Sequence, residues 1–81
     1  MTKKTIQITV KFFAMLREYG PKEEVITIPE NSQIQLLFEK YHVPKDAWKA
    51  IIMVNGSPHR DLNTPLNDGD IVSIFPPIGG G

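Results

Sequence analysis

The sequence has no cysteine, no long apolar run and no excess of charge of either sign. Without cysteine the chain has no disulfide, no thiolate nucleophile and no cysteine-ligated metal. No apolar stretch approaches the ~20 residues that a membrane-spanning helix needs. Nine lysines and arginines balance nine aspartates and glutamates, so the formal net charge is zero. This balance gives no general reason to bind nucleic acid or an anionic membrane.

Residue patterns that mark a metal or cofactor site are also missing. His42 and His59 are isolated in the sequence, so we expect no metal site. Asp61, Asp68 and Asp70 lack the spacing of a calcium-binding loop and fit turn chemistry instead. The chain has no G-x-x-x-x-G-K-[ST] phosphate loop, so we expect it to bind no cofactor of its own.

What the sequence does contain predicts one small domain in 81 residues. Ile6, Ile8, Val10 and Phe12 alternate with polar residues, which is typical of a half-buried strand and not of a signal peptide. We therefore expect a cytoplasmic protein. A short helical turn is predicted after this strand, and Gly20-Pro21 would end it.

The middle of the chain predicts a second strand over Val25–Ile28 and one amphipathic helix. Ile34, Leu37, Phe38 and Tyr41 share one helix face, and Val43-Pro44 would end the helix near His42. Ser32 is the expected N-cap, completed by Gln35 as a capping box. The short stretch from Lys45 to Ala50 has helix formers but no decisive pattern.

The last part predicts strands and turns. Ile51–Val54 is an apolar run expected to be a largely covered strand. Asn55-Gly56 indicates a type I′ hairpin turn, and residues 57–60 would form a short return strand at an edge. Ile71–Phe75 is the last predicted strand. This order of elements predicts an α+β fold, a β-grasp (ubiquitin-like) roll with its first and last strands parallel in the centre of a mixed sheet.

The chain ends Phe75-Pro76-Pro77-Ile78-Gly79-Gly80-Gly81. Proline cannot continue a sheet, and glycine orders poorly, so we predict a domain over residues 1–77 and a flexible tail over 78–81. A bare backbone ending in a carboxylate can enter a narrow active site of another protein. The alternative interpretation is that three terminal glycines are an inert frayed end or an expression remnant.

Strand parity predicts a second feature. Phe13 follows Phe12 and points away from the core, and Phe75 points outward if Val72 and Ile74 face the helix. In parallel neighbouring strands the two outward phenylalanines would meet at the root of the tail, as a docking patch for another protein. Alternatively, one of them packs against Met15 or Leu16 under a loop.

These features together resemble the MoaD/ThiS sulfur-carrier family. The segments are Lys11–Glu18 (KFFAMLRE), Val54-Asn55-Gly56, Asp68-Gly69-Asp70, Phe75–Ile78 (FPPI) and the terminal glycines. The resemblance covers almost the whole chain. The first and fourth segments are most similar to MoaD, the small subunit of molybdopterin synthase.

The resemblance implies a mechanism and its partners. An E1-like adenylating enzyme would use ATP to activate the Gly81 carboxylate, and a sulfurtransferase and its sulfur donor would convert it to a thiocarboxylate. The tail, with Gly79 and Gly80, would insert into the large catalytic subunit of molybdopterin synthase and donate sulfur to a pterin precursor. Phe13, Phe75, Pro76 and Pro77 would contact the partner. The chain alone would not be an enzyme.

Gly79 departs from the family, in which a small residue other than glycine more often precedes the glycine pair. It leaves open whether Gly81 is the native terminus. The sequence also leaves open a role in thiamine synthesis or tRNA thiolation, a ubiquitin-like modifier joined to lysines through Gly81, and a plain binding module with inert glycines.

Overall fold

The computed structural model describes residues 4–58 and 61–77, which fold into one sheet with one α-helix and two short 3₁₀ helices. The strands are β1 (Thr5–Phe12), β2 (Glu24–Pro29), β3 (Ile51–Val54) and β4 (Ile71–Phe75), the α-helix is α1 (Ile34–Lys40), and the 3₁₀ helices are Ala14–Glu18 and Lys45–Ala47. Four of the five expected strands, the main helix and the helical turn expected after the first strand are present.

The four strands lie in the order β2-β1-β4-β3. β1 and β4 are parallel neighbours in the centre, and their register pairs Thr9 with Ile71 and Phe12 with Ile74. β2 and β3 are antiparallel to them and form the edges. The predicted α+β β-grasp fold, with its first and last strands side by side, is confirmed.

The core lies between α1 and one face of the sheet. Its side chains come from alternate positions of β1 and β4 and from one stripe of α1, as period-two and period-3.6 patterning require. The most deeply buried are Ile8, Val10, Phe12, Ile34, Leu37, Phe38, Val72 and Ile74. The opposite face of the sheet carries no α-helix among the described residues, and it is the face on which outward-pointing residues collect.

The start of α1 differs from the prediction. Gln33, not Ser32, is the N-cap, and its side chain makes no capping bond. The Ser32 hydroxyl instead donates to the Pro29 carbonyl oxygen at 2.6 Å. The first helical amides are satisfied by the loop before β4, because Ile34 N donates to Thr64 O and Gln35 N donates to Leu62 O. The predicted capping box is therefore wrong, since tertiary contacts supply its acceptors.

The ambiguous stretch after the helix takes a definite form, and the predicted hairpin is present in part. The region after the helix is a short 3₁₀ turn, and the Trp48 indole N–H donates to Val43 O at 2.8 Å while its ring meets Phe38 edge-on. Asn55 and Gly56 both have positive φ, as a type I′ turn requires. The return strand is reduced to a single bridge between Val54 and Ser57, and the rest of the predicted strand includes residues 59 and 60, outside the described part.

Asp70 holds the turn before β4. It is 8% exposed, and its carboxylate accepts from Asn55 Nδ2 at 2.9 Å and from Asn67 N at 2.8 Å. Asn55 in turn accepts from Ile71 N at 2.9 Å. Each carboxylate oxygen of Asp70 thus accepts a hydrogen bond, which a buried carboxylate needs. The network fixes the hairpin turn against the start of β4.

Candidate functional site

The end of β4 positions the candidate site. Pro76 and Pro77 follow Phe75 directly, and no strand continues past Phe75 in the described residues. The reactive end predicted at Gly79, Gly80 and Gly81 lies outside the described residues. The candidate site that the structure describes is therefore the root of this tail.

Phe13 and Phe75 form a stacked pair at this root. Their ring centroids are 4.2 Å apart and their planes are inclined by 14°. The β1/β4 register explains the pairing, because Phe12 is opposite Ile74 and the next residues along each strand are Phe13 and Phe75. Phe13 N also donates to Ile74 O at 3.1 Å. The two rings meet as strand parity predicts, and their role in docking stays a prediction.

Met15 and Leu16, the residues named in the alternative packing, have opposite environments. Leu16 is 6% exposed and belongs to the core, whereas Met15 is 74% exposed. Phe13 and Phe75 are both half-buried, so part of each side chain remains accessible to solvent. An offset aromatic pair contributes about 0.5–1.5 kcal/mol beyond its buried area. The pair is therefore both an ordered structural feature and an accessible apolar surface.

The stack continues into a wider apolar face. Ile51 is paired with Phe75 in the register of β3 and β4, and Met53 lies two residues farther along. Ile71 and Val25, on either side of Thr9, are 42% and 61% exposed. Ser73, Lys11 and Thr9 separate Ile71 and Val25 from the stack in the sheet register, so Ile51 and Met53 are the neighbours that extend it.

The backbone after Phe13 turns sharply. Ala14 has φ of 55°, in the left-handed region that residues with a Cβ rarely adopt. This turn starts the first 3₁₀ helix, in which Leu16 N donates to Phe13 O at 3.1 Å. Leu16 is thereby directed into the core and Met15 outward. The helical turn itself was predicted and is confirmed, but the left-handed φ of Ala14 was not predictable, because no glycine marks the position.

A groove lies beside the proline exit. It has a volume of about 340 Å³ and is formed by three separate segments. Its lining consists of Met15, Leu16, Glu18, Tyr19, Asp46, Ala47, Lys49, Pro76 and Pro77. Sequence reasoning missed this groove, because no local pattern shows that the two 3₁₀ helices and the exit of β4 come together.

Two tyrosines have raised pKa values, and one of them, Tyr19, lines the groove. The pKa of Tyr19 is raised chiefly by hydrogen bonding to Glu18, with smaller effects of burial and of the Glu18 and Asp46 charges. The pKa of Tyr41 is raised by burial first and by its hydrogen bond to Glu24 second. Both phenols are therefore neutral and act as donors at neutral pH, not as bases.

The described residues contain no cluster of side chains that could hold a metal ion. Within residues 4–58 and 61–77, no three histidines, aspartates or glutamates group as metal ligands. No helix in this part of the chain is long and apolar enough to cross a membrane. His59, one of the two histidines considered from the sequence, is outside the described residues.

A scan against protein-family models matches the ThiS family over residues 10–81. A search of curated proteins gives no significant match. Among solved structures, the putative molybdopterin converting factor subunit 1 of Pyrococcus furiosus is 30% identical, with a TM-score of 0.71 over 90% of this chain and 99% of that one.

Two further structures extend the comparison. The small archaeal modifier protein 1 of Methanosarcina acetivorans is 28% identical, with a TM-score of 0.70 over 96% of this chain and 99% of that one. A complex of subunits 1 and 2 of the molybdopterin-converting factor of Helicobacter pylori contains a chain that is 29% identical, with a TM-score of 0.57 over 94% of this chain and 100% of that one. Names that refer to molybdopterin conversion and names that refer to protein modification thus both occur among the structural neighbours.

Proposed function

Because the chain belongs to the ThiS family, we propose that it is a sulfur carrier whose reacting group is the α-carboxylate of Gly81. The specific role is the small subunit of a molybdopterin synthase, with sulfur donated to a pterin precursor. The Pyrococcus furiosus and Helicobacter pylori neighbours, both named for molybdopterin conversion, support this assignment. The proposed location is the cytoplasm.

The proposed chemistry needs an activating partner. A carboxylate is a poor electrophile, so an E1-like enzyme would first transfer AMP from ATP to a Gly81 oxygen, with release of pyrophosphate. A reduced sulfur donor, delivered by a sulfurtransferase, would then attack the carbonyl carbon and displace AMP. The product is a thiocarboxylate in which sulfur replaces one oxygen. ATP and the sulfur donor are bound by the partners and not by this chain.

The observation that carries the proposal is the Phe13–Phe75 stack beside the Pro76-Pro77 exit. An apolar pair within two residues of the exit can bind a partner while the tail enters that partner's active site. Proline restricts φ and so limits the directions in which the following residues leave the body. Gly79 and Gly80 lack side chains, which suits them to a narrow channel.

A protein-modifier role is the second candidate, favoured by the similarity to the Methanosarcina acetivorans modifier protein. In that role an amine of a target lysine, in place of sulfur, would displace AMP from the Gly81 adenylate. The result is an isopeptide bond. Carriers for thiamine synthesis or for tRNA thiolation use the same first steps as the molybdopterin carrier and differ in the partner that takes the sulfur.

The decisive test is intact-mass analysis after incubation with an E1-like enzyme, ATP, a sulfurtransferase and a sulfur donor. We expect a mass increase equal to the replacement of one oxygen by sulfur. Tandem mass spectrometry must place it at Gly81, because oxidation of a methionine shifts the mass almost equally. A matched reaction without ATP should show no change. A chain that stays unmodified with every such enzyme tested would contradict the proposal.

A second experiment separates the candidates. The thiocarboxylate form is mixed with molybdopterin synthase large subunits, and the complex is measured by calorimetry. In parallel, tagged protein is recovered from cells and searched for isopeptide-linked peptides at Gly81. Tight binding without conjugates supports the molybdopterin role, and conjugates without a thiocarboxylate support the modifier.

A further inference from the structure

The groove beside the exit has a chemical character different from that of the Phe13–Phe75 stack. The stack is aromatic and lies on the helix-free face, whereas two acidic side chains and a phenol line the groove. Pro76 and Pro77 separate the two surfaces, since they follow Phe75 and also line the groove. A protein bound at the root of the tail therefore faces both.

The charges in the groove are unbalanced. Glu18 and Asp46 carry one negative charge each, and Lys49 is the one basic residue in the lining. Both carboxylates act on the Tyr19 hydroxyl, because both contribute to raising its pKa. Glu18 and Asp46 line the same groove as Tyr19, so both would stabilise a cation bound there.

The rest of the lining is apolar. Met15 is 74% exposed, the highest value among the large apolar residues of the described structure. Met15, Ala47 and the two prolines supply surface on which a hydrocarbon stem can pack. Methionine in particular adapts its shape to a partner. A volume of about 340 Å³ is at the small end for ligand pockets, which suits a single long side chain and not a nucleotide.

We propose that this groove receives an arginine side chain from the protein that takes up the C-terminal tail, an assignment that rests on the proposed function for the identity of that protein. An arginine stem packs on Met15 and Pro77 while the guanidinium reaches Glu18 and Asp46. A planar guanidinium with five donors can bond to two carboxylates at once, which a lysine ammonium does less well. The same two negative charges repel an acidic segment of a partner and so argue against it as the occupant of the groove.

The inference is tested with short peptides and therefore does not depend on tail chemistry. Acetyl-Leu-Arg-Leu-amide is titrated into the full chain while the Met15 methyl and Tyr19 ring signals are followed by NMR. Peptides with lysine, glutamine or glutamate in place of arginine are the controls. We expect the arginine peptide to bind about tenfold more tightly than the glutamine peptide, with shifts centred on the groove. Equal affinity for all four peptides, or shifts centred on Phe13 and Phe75, would overturn the inference.

Two variants of the chain should change arginine binding in opposite directions. Glu18→Gln combined with Asp46→Asn should abolish the preference for arginine, and Lys49→Gln should tighten arginine binding severalfold by removing the competing cation. Glu39→Gln, on the exposed surface of α1 outside this lining, is the matched control and should have no effect. All four side chains are exposed, so these neutral replacements should not alter folding.

The result is independent of the proposed sulfur chemistry. If the groove variants lose arginine binding and the Gly81 thiocarboxylate still forms, both proposals stand. If no peptide binds at millimolar concentration but the thiocarboxylate forms, the groove inference fails alone. If arginine binds but Gly81 is never modified, the proposed function fails, and the groove remains an arginine site whose partner is different.

Discussion

Phe12 and Phe13 are adjacent, identical in chemistry and opposite in environment. Phe12 is 1% exposed and meets Tyr41 edge-on at 5.0 Å, deep between the sheet and α1. Phe13 is half-buried on the other face and stacks on Phe75. The period of two along β1 sets this difference. One residue step along a strand thus separates a side chain that stabilises the fold from one available to a partner.

The largest effect should come from Phe12→Ala. Truncating a fully buried phenylalanine costs about 3–5 kcal/mol through lost burial and the cavity left behind. In a domain of this size that is a large part of the total stability. Urea unfolding followed by Trp48 fluorescence measures it, with Phe13→Ala as the matched control. Equal losses for the two variants would contradict the assignment of Phe12 to the core and Phe13 to the surface.

Gly20→Ala should have the next largest effect. A Cβ on Gly20 would overlap the Phe12 ring, so the ring or the loop must move. Overpacking of this kind costs about 1–3 kcal/mol. Thermal unfolding measures the loss. The double variant with Phe12→Leu, which makes room, should lose less than the sum of the two single changes, and strict additivity would show that the close approach does not matter.

Phe13→Ala and Phe75→Ala should change binding more than stability. Each loses part of a half-buried stack, about 1 kcal/mol. We expect affinity for the proposed large subunit or E1-like enzyme to fall at least tenfold, as for an aromatic hot spot. Calorimetry measures it. Val25→Ala, an exposed apolar residue at the far edge of the same face, is the control and should bind normally.

The smallest expected effect is on the pH dependence of stability, and it comes from Tyr41, whose ring packs against Phe12. Its pKa is raised in the folded state, so the folded protein holds the phenol proton more tightly than the unfolded chain does. Stability from this group is present below the ordinary tyrosine pKa of about 10 and declines as pH rises above it. Tyr41→Phe should therefore flatten the loss of stability in alkaline solution, measured by urea unfolding at several pH values. If the free energy of unfolding of the variant fell with pH as steeply as that of the original chain, this expectation would be contradicted.

Much of this fold was predictable because the patterns involved are local. Alternation in β1, the stripe of α1 and the Asn55-Gly56 turn each identify an element within a few residues. Parity then gave the meeting of Phe13 and Phe75, which needed only the added assumption that β1 and β4 are parallel neighbours. The docking role of these rings is not fixed by that geometry.

The remaining features depend on distant contacts that a linear pattern does not contain. Ser32 has the residue type of an N-cap, yet the carbonyl oxygens of Leu62 and Thr64 serve the helix instead. Asp70 fits turn chemistry by residue type, but the pattern does not show that it is buried or that its carboxylate bonds to Asn55 in the hairpin turn. The groove requires three segments at once, so neither its acidic character nor its place beside the prolines was foreseen.

The central pairing of β1 with β4 has a consequence for how the chain acquires its structure. Residues near opposite ends of the sequence must meet before the middle of the sheet exists. Such long-range closure slows folding relative to chains built from local contacts. On a ribosome, β1, β2 and α1 would emerge with one edge of β1 unpaired and wait for Ile71–Phe75 to appear. The proline exit is then synthesised only just after the strand that completes the sheet.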